Sequence, residues 1–130
     1  MQARTWTGAA ALAALIAMAT AAVVTRAGAR EEAREIALVA RGMSFYLEAD
    51  PATANPTITL TAGERVRFVL RNQTPGIEHD LAVDALGVAL PPVHDGGLGV
   101  ADLEVPARPG AYEYRCRPHA VMMKGTLVIR

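Results

Sequence analysis

Tyr112-Glu-Tyr-Arg-Cys-Arg-Pro-His-Ala-Val-Met-Met-Lys-Gly-Thr-Leu-Val-Ile129 is the stretch on which the reading of this chain turns. It holds the single cysteine, Cys116, with His119 three residues on and Met122 and Met123 just beyond. A thiolate, an imidazole and a thioether within eight residues form a ligand set for a soft transition metal. Each residue also has an ordinary reading. A lone cysteine is usually a small buried hydrophobe and a lone methionine usually core packing; it is their company that argues for a metal. Tyr112, Tyr114 and Cys116 share a parity, so a strand through them sends a thiol inward at its end, while Glu113 and Arg115 face water. Pro118 then imposes a bend and lacks a backbone donor, and Gly125 allows a tight exit into a last strand.

Upstream, His79 stands in Ile77-Glu-His-Asp-Leu81. Two imidazoles, a thiolate and a weak thioether are what a mononuclear blue copper site needs. Cys116-Arg-Pro-His119 resembles the Cys-x-Pro-His of plastocyanin and amicyanin, and Met123-Lys-Gly-Thr-Leu127 resembles the end of the azurin ligand loop. The chain is thus similar to the cupredoxins over roughly residues 36–130. The resemblance implies a one-electron carrier that cycles one copper ion between Cu(I) and Cu(II) on His79, Cys116, His119 and Met123. It implies an electron exit at His119, ringed by Pro118, Ala120 and Val121, and a redox partner such as a c-type cytochrome, an oxidase or a reductase. Azurin-like spacing selects Met123 over Met122, because Met, any residue and Gly lead into the final strand. The residue after the upstream histidine is commonly Asn in that family and is Asp80 here, a carboxylate that accepts hydrogen bonds but donates none. His94, in His-Asp-Gly-Gly, reads as an unbound loop residue.

Outward from this stretch the pattern has a period of two. Arg65-Val-Arg-Phe-Val-Leu-Arg71 alternates, with Val66, Phe68 and Leu70 inward. Ile36–Ala40 and Met43–Leu47 read as strands parted by Arg41-Gly42, and Thr57–Leu60 as another. Asp50–Pro56, Ala62-Gly-Glu, Asn72–Gly76 and Ala107–Gly110 read as turns or loops. A strand pattern resumes over His79–Val83. The segment 84–99, with Pro91-Pro92 and four glycines, reads as a long loop with room for a short strand. Val100–Val105, Ala111–Cys116 and Thr126–Arg130 complete the set. Seven or eight short strands without an internal helix predict an all-β Greek-key sandwich.

Thr5–Thr25 is free of charge and rich in alanine, long enough to cross a bilayer and followed by a small-residue Ala27-Gly-Ala29 step. Residues 1–29 are therefore expected to be a signal peptide or membrane anchor, 30–35 a charged, helix-prone linker, and 36–130 the domain, placed in the periplasm or otherwise outside the cytoplasm. Past residue 29 there are eleven basic and thirteen acidic residues, a net charge of −2, with no basic patch for nucleic acid. One cysteine excludes an internal disulfide and a cysteine-rich zinc framework. A monomer is expected.

Other classes compete. Copper storage or delivery would use the same ligand set, although one compact set favours a carrier over the exposed Met/His tracts of chaperones. A fragment of a multicopper oxidase or nitrite reductase would need further histidine clusters, and only His94 remains. A Cys/His hydrolase lacks an oriented third group, so no enzyme activity is expected. Ligand type alone also fits zinc.

Overall fold

The computed structural model describes residues 32–130, so the expected signal or anchor over 1–29 lies outside the described residues. Nine strands form two facing sheets. β1 (Arg34–Arg41), β2 (Ser44–Leu47), β4 (Arg65–Asn72) and β7 (Leu98–Glu104) make one sheet, in the order β2-β1-β4-β7. β3 (Ile58–Leu60), β9 (Lys124–Ile129), β8 (Gly110–Arg115), β5 (Ala82–Val83) and β6 (Val88–Ala89) make the other, in that order. The chain changes sheet five times, the connectivity of the expected Greek-key sandwich. Among the described residues no helix is long and apolar enough to cross a membrane.

Alternation along the strands builds the core. Val66, Phe68 and Leu70 of β4 point inward, as their period predicts, and meet Leu38, Phe45, Leu60, Tyr114, Leu127 and Ile129 from both sheets. Burying each large apolar side chain contributes about 1.5–3 kcal/mol before conformational entropy is set against it.

Three boundaries differ from expectation. Among the described residues the strand count is nine, because the expected loop over 84–99 does contribute a short strand, Val88–Ala89, which pairs with the end of the expected 79–83 strand: Ala82 opposes Ala89 and Val83 opposes Val88, joined by a 3₁₀ turn ending at Gly87 in the left-handed region. β7 begins at Leu98, inside the expected loop, and Gly99 there serves close packing rather than a turn. A Cβ at Gly99 would stand 2.6 Å from Val93 Cγ2 and 3.0 Å from Leu90 Cδ2. The charged segment expected to be a linker enters the sheet at Arg34, which pairs with Val66 in parallel register. The Arg34 guanidinium donates to Glu64 at 2.8 and 3.1 Å and to the Thr59 carbonyl at 2.9 Å. Those contacts override the local helix preference.

Candidate metal centre

The end of the sandwich where β4 and β8 stop and β9 begins gathers the predicted residues. Cys116 directly follows β8 with extended backbone angles, and a 3₁₀ turn over Arg117–His119 reverses the chain. The 116–123 loop is closed by its own backbone. Cys116 N–H donates to the Met123 carbonyl at 2.9 Å, and His119 N–H to the Cys116 carbonyl at 3.1 Å. The Met122 and Met123 N–H groups both reach the His119 carbonyl, at 3.1 and 2.9 Å. Cys116 and Met123 are thereby drawn into the core, while Met122 is 59% and Val121 90% exposed.

His79 arrives from a different segment. It is not in a strand, as the pattern from 79 to 83 predicted; it forms an isolated bridge with Val93, exchanging both backbone hydrogen bonds at 2.7 and 3.1 Å. Its ring is buried, with Nδ1 3.7 Å from Cys116 Sγ, and His119 Nδ1 lies 3.4 Å from the same sulfur. The donor atoms of His79, Cys116 and His119 all fall within 4.8 Å of one another. The two imidazole rings meet edge to face, with centroids 5.0 Å apart.

The protonation of His79 follows from its surroundings. Nε2 lies 3.1 Å from Thr74 Oγ1, whose other neighbours are the Ala40 and Gly42 carbonyls, each at 3.4 Å. With Nδ1 turned to the sulfur, Nε2 carries the proton when a metal is bound, and Oγ1 is then placed to accept it. The Nδ1 lone pair is left facing the sulfur. Burial, and then the proximity of His119, push the His79 pKa down, against smaller upward pushes from the Gly42 carbonyl and the Asp80 charge. Burial pushes the Cys116 thiol up, and the Asp80 charge adds to this; backbone N–H groups of Asp80 and His119 offset part of it. A buried sulfur with two imidazole nitrogens within 3.7 Å, one from each of two segments, is a donor set that fits a metal ion.

Asp80 is buried, and its Oδ1 accepts the Arg117 N–H at 2.7 Å, which ties the His79 segment to the ligand loop in the one direction a carboxylate allows. At the surface beside it, Asp84 pairs with Arg115 at 2.5 Å and with Arg117 at 2.9 Å. Around the half-buried His119, Pro118 is exposed and Ala120 half-buried. His94 is not brought to the cluster; its exposed ring pairs with Glu78 at 2.5 Å.

Residues that sequence reasoning passed over also shape the site. Asn72 is buried and fully bonded: Nδ2 donates to the Ile77 and Val93 carbonyls at 2.6 and 2.8 Å, and Oδ1 accepts the Thr74 N–H at 2.8 Å. It therefore fixes both the segment carrying His79 and the threonine that orients its ring. The Asn72-Gln-Thr-Pro-Gly76 turn signature was the available signal.

No protein-family model matches the sequence, and no curated protein matches it either. Solved structures do. Auracyanin B aligns at 25% identity and a TM-score of 0.58, over 75% of this chain and 89% of its own. Auracyanin A, a "blue" copper protein from Chloroflexus aurantiacus, aligns at 17% identity and a TM-score of 0.59, over 76% of this chain and 100% of its own. The copper-containing nitrite reductase of Thermus scotoductus aligns at 19% identity and a TM-score of 0.58, over 76% of this chain but 28% of its own, so domains of this fold also occur inside larger enzymes. The chain has the fold of the cupredoxins.

Proposed function

We propose that the domain is a one-electron carrier with a type 1 copper site, which His79, Cys116 and His119 would hold with Met123 as a weak fourth donor. The observation that carries this reading is the convergence of two Nδ1 atoms on one buried thiol, at 3.4 and 3.7 Å. The complete burial of Met123 beside an exposed Met122 supports the choice of Met123 over Met122 as that donor. Bound copper supplies the Cu(I)/Cu(II) couple. The protein's part is to keep its donors still. Thr74 and the Val93 bridge hold His79, Asp80 holds the start of the loop through Arg117, and backbone hydrogen bonds close the loop from Cys116 to Met123. Donors fixed in this way move little when charge changes, which keeps the barrier to electron transfer low.

On this reading electrons pass through the partly exposed edge of His119 to a redox protein such as a c-type cytochrome, an oxidase or a reductase. That partner would dock on the apolar rim of Pro118, Ala120 and Val121. The charge-free stretch 5–25 supports a location in the periplasm or otherwise outside the cytoplasm, either through export or through an inner-membrane anchor. The domain acts as a monomer without substrate chemistry. The test is the visible spectrum of the copper-loaded protein. An intense charge-transfer absorption that disappears in Cys116→Ala, with the fold retained, is expected; a colourless copper complex would refute the reading.

A further inference from the structure

The loop between β2 and β3 reaches the metal end of the sandwich at Asn55-Pro56. Asn55 is the one non-glycine among the described residues with a positive φ, +48°, a conformation asparagine tolerates better than most side chains. Every hydrogen bond it makes leads away from its own turn. Its N–H donates to the Phe45 carbonyl at 2.7 Å and its Oδ1 accepts the Phe45 N–H at 3.0 Å, which extends the free edge of β2. Its Nδ2 then donates to the Met122 carbonyl at 3.1 Å. The amide orientation is unambiguous, because the Phe45 N–H requires an acceptor and the Met122 carbonyl a donor. Next to it, the Pro56 carbonyl accepts the buried Tyr114 hydroxyl at 2.6 Å. Tyr114 lies two residues before Cys116, and Met122 lies one residue before Met123.

We propose that Asn55 is a positioning residue of the metal centre: the Asn55-Pro56 step grips the 116–123 loop near both ends and sets where Met123 sits before a metal arrives. The loop's internal hydrogen bonds hold Cys116, His119 and the amides of Met122 and Met123, but they leave the Met122 carbonyl to Asn55. That carbonyl belongs to the peptide whose far side is the Met123 nitrogen, so fixing it fixes the plane from which the Met123 side chain departs. Asn55 thus couples the edge of one sheet to the donor loop of the other. The inference rests on the copper reading of this loop only for its spectroscopic arm.

The test is Asn55→Asp, which keeps an acceptor for the Phe45 N–H and sets an acceptor against the Met122 carbonyl. In the metal-free protein, the Met123 and Cys116 amides are expected to exchange with solvent roughly three- to tenfold faster, the weight of one neutral hydrogen bond, while the β1 and β4 amides stay unchanged. In the copper-loaded protein, the reduction potential and the copper hyperfine splitting are expected to shift. Exchange at Met123 equal to wild type overturns the proposal, and so does an accelerated exchange spread evenly over the whole domain, which marks a merely structural role. If the wild-type copper complex is colourless, the carrier reading falls and the exchange arm alone decides the role of Asn55. Should Asn55→Asp fail to fold, the wild-type protein decides. Protection of the Asn55 side-chain amide protons beyond those of the exposed Gln73 supports the clamp, and equal exchange of the two overturns it.

Discussion

Replacing Thr74 with valine removes one oxygen and almost no volume, which isolates the bond that orients His79. The buried Nε2–H, 3.1 Å from Thr74 Oγ1, then loses that acceptor. Ala40 O does not suffer in return, since it also accepts the Gln73 N–H at 2.9 Å. A buried donor left unpaired costs about 1–3 kcal/mol. The metal-free protein escapes part of that cost by moving the proton to Nδ1, where the cysteine sulfur is the nearest acceptor. The loaded protein cannot, because a metal requires the Nδ1 lone pair. The penalty therefore falls mainly on the loaded state, and copper affinity is expected to drop about 10–100-fold, the range typical of lost partners of metal-ligating histidines. That range corresponds to about 1.4–2.7 kcal/mol, which agrees with the cost of the orphaned N–H. Thr74→Ser keeps the hydroxyl and should bind copper close to wild type. Competition against a Cu(I) chelator measures the affinities, and ¹⁵N shifts of the His79 ring in the metal-free protein report its tautomer. Wild-type affinity in Thr74→Val, with the proton still on Nε2, would refute the assignment of Thr74 as the group that fixes this ring.

Two further outcomes are expected. Met123→Leu should raise the reduction potential and alter the copper spectrum, because losing a weak donor favours Cu(I), while the buried volume is nearly conserved and costs less than about 1.5 kcal/mol; Met122→Leu, at an exposed position, should be close to silent, and the opposite pattern in electrochemistry and electron paramagnetic resonance reassigns the axial donor. Glu64 has its pKa lowered, first by its hydrogen bond with Arg34, which outweighs the upward push of burial, and then by the Thr61 N–H it accepts at 2.7 Å. Its contribution to stability is present above its unfolded-state pKa and is lost as pH falls through the lower folded value. The gap in urea midpoint between wild type and Glu64→Gln should accordingly narrow on acidification, and a gap independent of pH contradicts the pairing.

What could be read from the sequence, and what could not, divides along physical range. The Cys116, His119 and Met123 spacing is local, and a tight loop between two hydrogen-bonded strands leaves few ways to arrange it. The period of two along β4 is likewise enough to place Val66, Phe68 and Leu70 in the core. His79 was legible by elimination as well as position, since only His94 competed. The misread parts depend on contacts between distant segments. Gly99 looked like loop material, yet it is a strand residue kept small by Val93 and Leu90. Gly125 looked like a turn residue, but its φ is not positive and its real constraint is the ring of Tyr114, which a Cβ would meet at 2.3 Å. Thr74 and Asn55 carried no signal of their roles, because a polar side chain declares its partner only when the fold delivers one, and Asn55 and Met122 are 67 residues apart. Asp80 falls between these cases. Its chemistry as an acceptor was plain, while the N–H it accepts depended on the turn at Arg117–His119. Three of the four proposed donors are therefore written in one short stretch of chain, whereas His79 and the placement of the donors depend on contacts made by Asn55, Asn72, Thr74 and Asp80, none of them within that stretch. Variants at those four positions should tune the metal centre without changing its ligands.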